Sequence, residues 1–437
     1  MAKRSRRMRF FIAGAICDAA CLVLAGAWWT YINRAPTVSL PPVTYPNPNG
    51  YTRLLEAGQL LVREDDVNAA IAKPGTENRG KPLPVFTNAQ KAALVQANHP
   101  ALVAAGEALD LPFQATPSWK ENARSYARFR QFARTLMLAG KVEEARGDYD
   151  QAATYYRTTM QEGVKVSNGT LLPRLVGIAC ESIGRRPLFR VADKLSADTA
   201  RATARKLMIG EQERSTLART VQAEKRDFLE SILGDFRRQN VLKLARSAGV
   251  IDGDTSPDKP FSPGKQLRAY AGVLAHSKQN VLNAYGQYMD ATAVWASLPR
   301  PADVPSPSVP SDPFNQLFAP DFRSIVHKDC DNRAQTALLV SKLALHAFYA
   351  SHHAYPQTMN ELVETGILER LPSDPFAKAA GDPLCYRKTA AGYLLYSVGP
   401  DGQDDGGKPI NNRYSDGTYK AWTERDSQGD FVVNVNL

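Results

Sequence analysis

Near its C-terminus the chain reads Gly399-Pro400-Asp401-Gly402-Gln403-Asp404-Asp405-Gly406-Gly407, directly after the apolar run Tyr393-Leu394-Leu395-Tyr396. Carboxylates and an amide carbonyl are hard oxygen donors, and glycine lets backbone fold tightly around a cation. Asp401, Gln403, Asp404 and Asp405 are therefore candidate metal ligands. The competing reading is a solvated acidic turn. The order Asp401-x-Gln403-x-Asp405-Gly406 approaches the start of an EF-hand loop. Gln403 replaces an acid, Asn412 stands where the closing Glu belongs, and a strand precedes the loop. An EF-hand is rejected on those grounds. Roughly four side-chain oxygens are in reach, fewer than the six to eight that calcium takes.

Other constellations carry less. His327 and Cys330 are three apart on an expected helix, a thiol–imidazole spacing without a third partner. His346, His352 and His353 sit at or past the end of a long helix, where imidazole complements the terminal dipole. Glu143 and Glu144 read as a solvated pair. No metalloprotease, nucleophile-elbow, P-loop or dinucleotide signature stands in the right context. No catalytic residue is named, and a non-enzymatic role is favoured over a hydrolase with groups scattered among helices. Of the cysteines, Cys17 and Cys21 fall in an apolar N-terminal run. Cys330 and Cys385 either pair or, with Cys180, stay reduced.

These residues must be placed by a chain of 437 residues, 43% apolar and 22% charged, an ordinary globular balance. The net charge of +10 is uneven, because Lys3, Arg4, Arg6, Arg7 and Arg9 crowd the first turns. The remainder is only mildly basic, which argues against nucleic acid as a partner. Residues 10–32, FFIAGAICDAACLVLAGAWWTYI, are long enough to cross a bilayer, with Trp28, Trp29 and Tyr31 at the far end. The basic flank predicts a cytoplasmic tip and an extracytoplasmic body, in the inner membrane of a bacterium. Ala25-Gly26-Ala27 offers a cleavage site for the alternative, a removed signal.

Composition divides the rest. Residues 33–50 form a proline-rich spacer, and 51–298 form a helical domain. Residues 299–320 are a proline-rich linker, and 321–437 form an α+β module. Asn88 is expected to cap one helix, and Pro100 to break it or start the next. Ser118 and Glu121 suggest a capping box for a long amphipathic helix. Within 118–163, Gly147, Tyr149, Ala152 and Tyr156 match half of a tetratricopeptide-type repeat. One copy makes a helical hairpin, not a solenoid. In the terminal module the pattern predicts one long helix ending at Tyr355-Pro356, a short helix at 358–366, and strands near 383–388, 392–398 and 431–436.

That order resembles the periplasmic domain of type II secretion major pseudopilins over residues 333–407. The motifs are Tyr355-Pro356, Leu371-Pro372-Ser373-Asp374-Pro375, Asp382-Pro383 and Tyr396-Ser397-Val398-Gly399-Pro400-Asp401-Gly402. The resemblance implies a calcium loop after the last strand, with Asp416 closing it from downstream. The chain lacks the family's processed N-terminal motif and inserts nearly 300 residues before the module. A borrowed fold is implied, not the filament role. The reading is thus a mainly α chain with a C-terminal α+β module, acting in docking or assembly through its helical surface, near secretion or pilus-type machinery.

Overall fold

The computed structural model describes residues 2–72, 76–78, 81–116, 119–251, 263–298, 300–411 and 423–435; Ser118 and Asp416 lie outside them. The chain is mainly helical, with an apolar N-terminal helix and a small antiparallel sheet at the other end. Helix α1 (Ala2–Asn33) contains an 18-residue stretch, Ile16–Asn33, long and apolar enough to cross a membrane. Its apolar side chains face outward: Leu22 is 73% exposed, and Val23 and Leu24 are similar.

Two compact units follow, and neither is continuous in sequence. The first gathers residues 1–42, 225–292 and 307–320. Asn33, the last residue of α1, accepts from the Val241 N–H at 2.7 Å, and Trp28 donates its ring N–H to Leu274 at 2.9 Å. An aromatic cluster joins Phe228 to Tyr285 (centroids 4.5 Å apart) and to Phe318 (5.5 Å). The expected spacer does not hang free. Thr37 donates its N–H to Gln279 at 2.7 Å, and Arg226 binds the Pro41 carbonyl.

The second unit gathers 43–224, 293–306 and 321–437, so the helices up to Glu224 and the terminal module share one body. Helices α2 (Gly50–Ala57) and α3 (Glu64–Ile71) and a two-residue hairpin, β1 (Glu77–Asn78) with β2 (Lys81–Pro82), come first. Thr87, not Asn88, caps α4 (Asn88–Ala97): its hydroxyl accepts from the Gln90 N–H while the Gln90 side chain returns to the Thr87 N–H. The reciprocal box satisfies two N–H groups, which Asn88 alone would not. Pro100 falls in the first turn of α5 (His99–Leu109), where its missing N–H costs nothing.

Helices α6 (Trp119–Arg146), α7 (Tyr149–Val166) and α8 (Leu171–Val191) pack as successive antiparallel hairpins. Gly147 makes the first turn with φ +84°, which a side chain would strain. Gly140 lets the Tyr156 ring lie against α6, where any Cβ would overlap it. That interlock is the physical content of the repeat-like pattern. Glu144 is not merely solvated, because it accepts from the Tyr156 hydroxyl and from Arg190.

Helix α9 (Ala197–Glu213) lies on α15 (Arg323–His352), the long helix of the terminal module. Between them in sequence come α10 (Leu217–Arg238), α11 (Val241–Ser247), α12 (Pro263–Leu274), α13 (Lys278–Ala296) and α14 (Pro313–Phe318). Helix α14 occupies the expected linker, so that stretch is folded. After α15 come α16 (Glu361–Glu364) and strands β3 (Cys385–Thr389), β4 (Gly392–Ser397) and β5 (Phe431–Val432), ordered β3-β4-β5. Cys385 faces Tyr396, and Ser397 faces Phe431. One apolar core runs from Tyr156 and Met160 through Ala200 and Leu207 to Leu338, Leu343, Leu395 and Phe431.

Candidate functional site

The helices α8, α9 and α15 do not meet through apolar side chains alone. On α8, Arg174, Glu181 and Arg185 recur at intervals of seven and four, which places them on one face. On α15, Asp329, Asn332, Gln335 and Thr336 follow at intervals of three, three and one, which also keeps them on one side of the helix. All seven are buried. Arg174 aims Nε (3.0 Å) and Nη2 (2.7 Å) at one oxygen of Asp329, and Nη1 at the Ser215 carbonyl (2.7 Å). Arg214, at the end of α9, grips Glu181 with both terminal nitrogens (2.8 and 2.6 Å) and also binds Glu211. Arg185 reaches the Asn332 side chain at 2.6 Å and Gln335 at 3.0 Å.

The electrostatics follow from these pairs. Burial works against the Asp329 carboxylate, but Arg174, Arg214 and Arg333 outweigh it and hold its pKa below the ordinary value. Burial raises Asp331 above its usual range, offset in part by the Thr423 N–H and Gln335. Burial also opposes the charge on Arg214, and Glu181 and Glu211 overcome it. Glu162 on α7 is the exception. It is buried, neither oxygen has a hydrogen-bond partner among the described residues, and burial lifts its pKa well above normal.

Two cavities, of about 420 and 540 Å³, open over this charged layer. Both are lined by Glu211, Arg333, Ser373, Pro375 and Gly381, so they form one trough between α9, α15 and the loop at 370–381. Arg174, Arg214 and Asp329 form part of its floor. Met208, Ala337, Val340, Leu371 and Pro372 make an apolar wall, and Arg370 stands on the rim. Cys330 also lines the trough, but burial pushes its thiol up to about 12, which leaves a poor nucleophile.

Asp374, from the Leu-Pro-Ser-Asp-Pro motif, lines the trough and aims its carboxylate at the end of the sheet. It accepts from the Phe376 N–H (2.9 Å), the Ser397 hydroxyl (2.8 Å) and the Val398 N–H (2.9 Å). Two motifs that lie apart in sequence are thereby tied at the end of β4.

Of the expected metal ligands, Asp401, Gln403, Asp404 and Asp405 are described, and Asp416 lies outside the described residues. Asp401 accepts from the Gln403 N–H at 3.1 Å and the Gly429 N–H at 3.3 Å. Asp404 accepts from the Tyr396 hydroxyl at 2.7 Å and the Gly406 N–H at 2.9 Å. Gln403 and Asp405 are exposed. These carboxylates close turns, as Asp does where backbone N–H groups lack partners. Among the described residues no three His, Cys, Asp or Glu side chains are grouped to hold a metal ion. The loop's nearest buried acid, Asp430, went unnoticed in sequence; it accepts from the Gly407 N–H at 2.7 Å, and burial pushes its pKa up to about 6.

His327 does not face Cys330 in a catalytic pair. Its Nε2 lies 2.9 Å from the Thr423 carbonyl. His346 contacts the Leu195 carbonyl at 2.8 Å, and His353 closes α15 in a left-handed conformation. Cys180, Cys330 and Cys385 are free thiols. The charged layer was missed because each member looks like part of a solvated face. The signal was there: Arg174, Glu181 and Arg185 repeat at the same spacing as the apolar residues around them. Compared with family models, curated proteins and solved structures, the chain matches none.

Proposed function

We propose that the chain is a single-pass protein of the bacterial inner membrane, its basic tip cytoplasmic and its body periplasmic, working in docking or assembly beside type II secretion or type IV pilus-like machinery. The observation that carries this reading is the exposed apolar surface of α1, with Leu22, Val23, Leu24, Trp28 and Trp29 uncovered. A surface of that kind needs lipid or a partner to cover it. The positive flank favours the stated orientation. The pseudopilin likeness of the terminal module is supported by its element order and by the tie between Asp374 and Ser397.

A second reading, an exported hydrolase, is favoured only by the presence of the trough. The acids there are engaged by guanidinium or N–H groups, which leaves the docking reading stronger. The test is protease added outside spheroplasts of cells making the full chain. The body should be digested together with a known periplasmic marker, and removal of residues 2–33 should release it from membranes. Digestion of the marker with the body intact would overturn the proposed location.

A further inference from the structure

The charges around the trough fall into two classes. In the floor each is matched: Arg174 with Asp329, and Arg214 with Glu181 and Glu211. On the rim the matching is looser, because Glu211 is already held by Arg214. Arg333 has a side chain 44% exposed and only a 3.6 Å approach to Glu211. Arg370 is exposed and lines the same cavity. Asp374, the other acid of the trough, already accepts three hydrogen bonds. The charge available to a visitor is therefore positive, on two planar forks suited to bidentate carboxylates. The wall beside them is apolar, through Met208, Leu371 and Pro372. An inorganic anion would leave that wall wet, whereas an alternation of acidic and apolar side chains would use both surfaces.

We propose that this trough seats an acidic, partly apolar peptide segment of a partner protein, with its carboxylates on Arg333 and Arg370 and its apolar side chains on the wall formed by Met208, Leu371 and Pro372. The inference rests on the docking reading and names the partner's chemistry. Recognition of acidic motifs by arginine pairs is a general mode of peptide binding. Part of the attraction is surface electrostatics, so affinity should fall with ionic strength.

The probe is fluorescein-labelled acetyl-Leu-Glu-Leu-Glu-Leu-amide, with fluorescence anisotropy read on the full chain in detergent micelles. Saturable binding is expected, weaker by about tenfold or more for the counterpart carrying Gln in place of Glu. The double variant Arg333→Ala/Arg370→Ala should lose a similar factor while melting within about 2 °C of wild type. Leu371→Glu, which keeps both arginines, should also weaken binding. Absence of saturable binding overturns the proposal. So does equal affinity for the Gln peptide, full affinity in the double variant, or displacement by inorganic phosphate at the concentration of the peptide itself. Peptide binding in a chain that fails the protease test would reject the periplasmic location and leave the trough assignment standing.

Discussion

Asp374 and Ser397 are hydrogen-bonded at 2.8 Å across 23 residues of sequence, and the same carboxylate receives the Val398 N–H. The Asp of one loop motif is the anchor for the end of β4. Replacing it leaves two buried N–H groups and a hydroxyl without this acceptor. Asp374→Ala is expected to cost about 2–3 kcal/mol, since buried hydrogen bonds to a charged group are worth about 1.5–3 each but the vacated site relaxes. Urea denaturation measures the loss. Limited proteolysis should show earlier cutting between 392 and 410 than elsewhere; an unchanged cleavage pattern would argue that the anchor is dispensable.

Arg174 and Asp329 are both almost fully buried, with side chains 1% and 6% exposed. Arg174→Met strands a carboxylate in the core and should destabilise the protein by about 3–5 kcal/mol. Adding Asp329→Leu removes the stranded charge and should recover most of that loss, because a buried ion pair contributes little beyond an apolar pair of similar volume. A double-mutant cycle in guanidinium chloride reads both values. Equal stability of the Arg174→Met variant and wild type would contradict the buried pairing.

Glu162 gives stability an unusual pH dependence. Burial raises its pKa in the folded chain, so the native state holds a proton that the unfolded state releases. Stability should be full below the ordinary carboxylate range and fall as pH rises through and above it, by about 1.4 kcal/mol per pH unit up to the folded-state pKa. Asp430, pushed to about 6, acts in the same direction over a shorter range. Glu162→Met keeps the volume and removes the acid. Its melting temperature should exceed wild type near neutral pH and match it near pH 4, roughly the unperturbed carboxylate value. A constant offset across that range would assign the effect to packing.

The turns at Asp401 and Asp404 predict that calcium has little effect. Their oxygens already serve N–H and O–H donors, and a cation would have to displace them. Millimolar calcium should shift the melting temperature by less than about 1 °C, because a ligand raises it only where it binds the folded state selectively. A rise of several degrees that disappears in Asp401→Ala would show that the loop reorganises around the ion.

Much of the fold was legible because it depends on local pattern. The apolar length of α1, the helical period of α6 to α9, and the strand at Gly392–Ser397 can each be read within a window of residues. The pattern of Gly147, Tyr149, Ala152 and Tyr156 marked a helical hairpin, but not the contact of Tyr156 with Gly140 that closes it. The site was legible only at the level of residue type. Asp401 and Asp404 stand out by residue type, but their oxygens answer to backbone N–H groups that no sequence window places. The pairing of Arg174 with Asp329 lies beyond any sequence window because the two sit on helices far apart in the chain. The proline-rich stretches misled for a related reason: proline stiffens a segment without deciding whether it packs, and Asp312 still caps α14 inside one of them.

The separation of Arg174 from Asp329 has a consequence for biogenesis. The two are 155 positions apart, and a ribosome adding about 5–20 residues per second takes roughly 8–30 s to deliver the second after the first. During that interval α8 is born with its cationic side unmatched and its neighbouring apolar stripe uncovered. The N-terminal hairpins thus remain an unfinished half of a fold until the last quarter of the polypeptide arrives, and a nascent chain stalled before α15 is a natural client for chaperones or degradation.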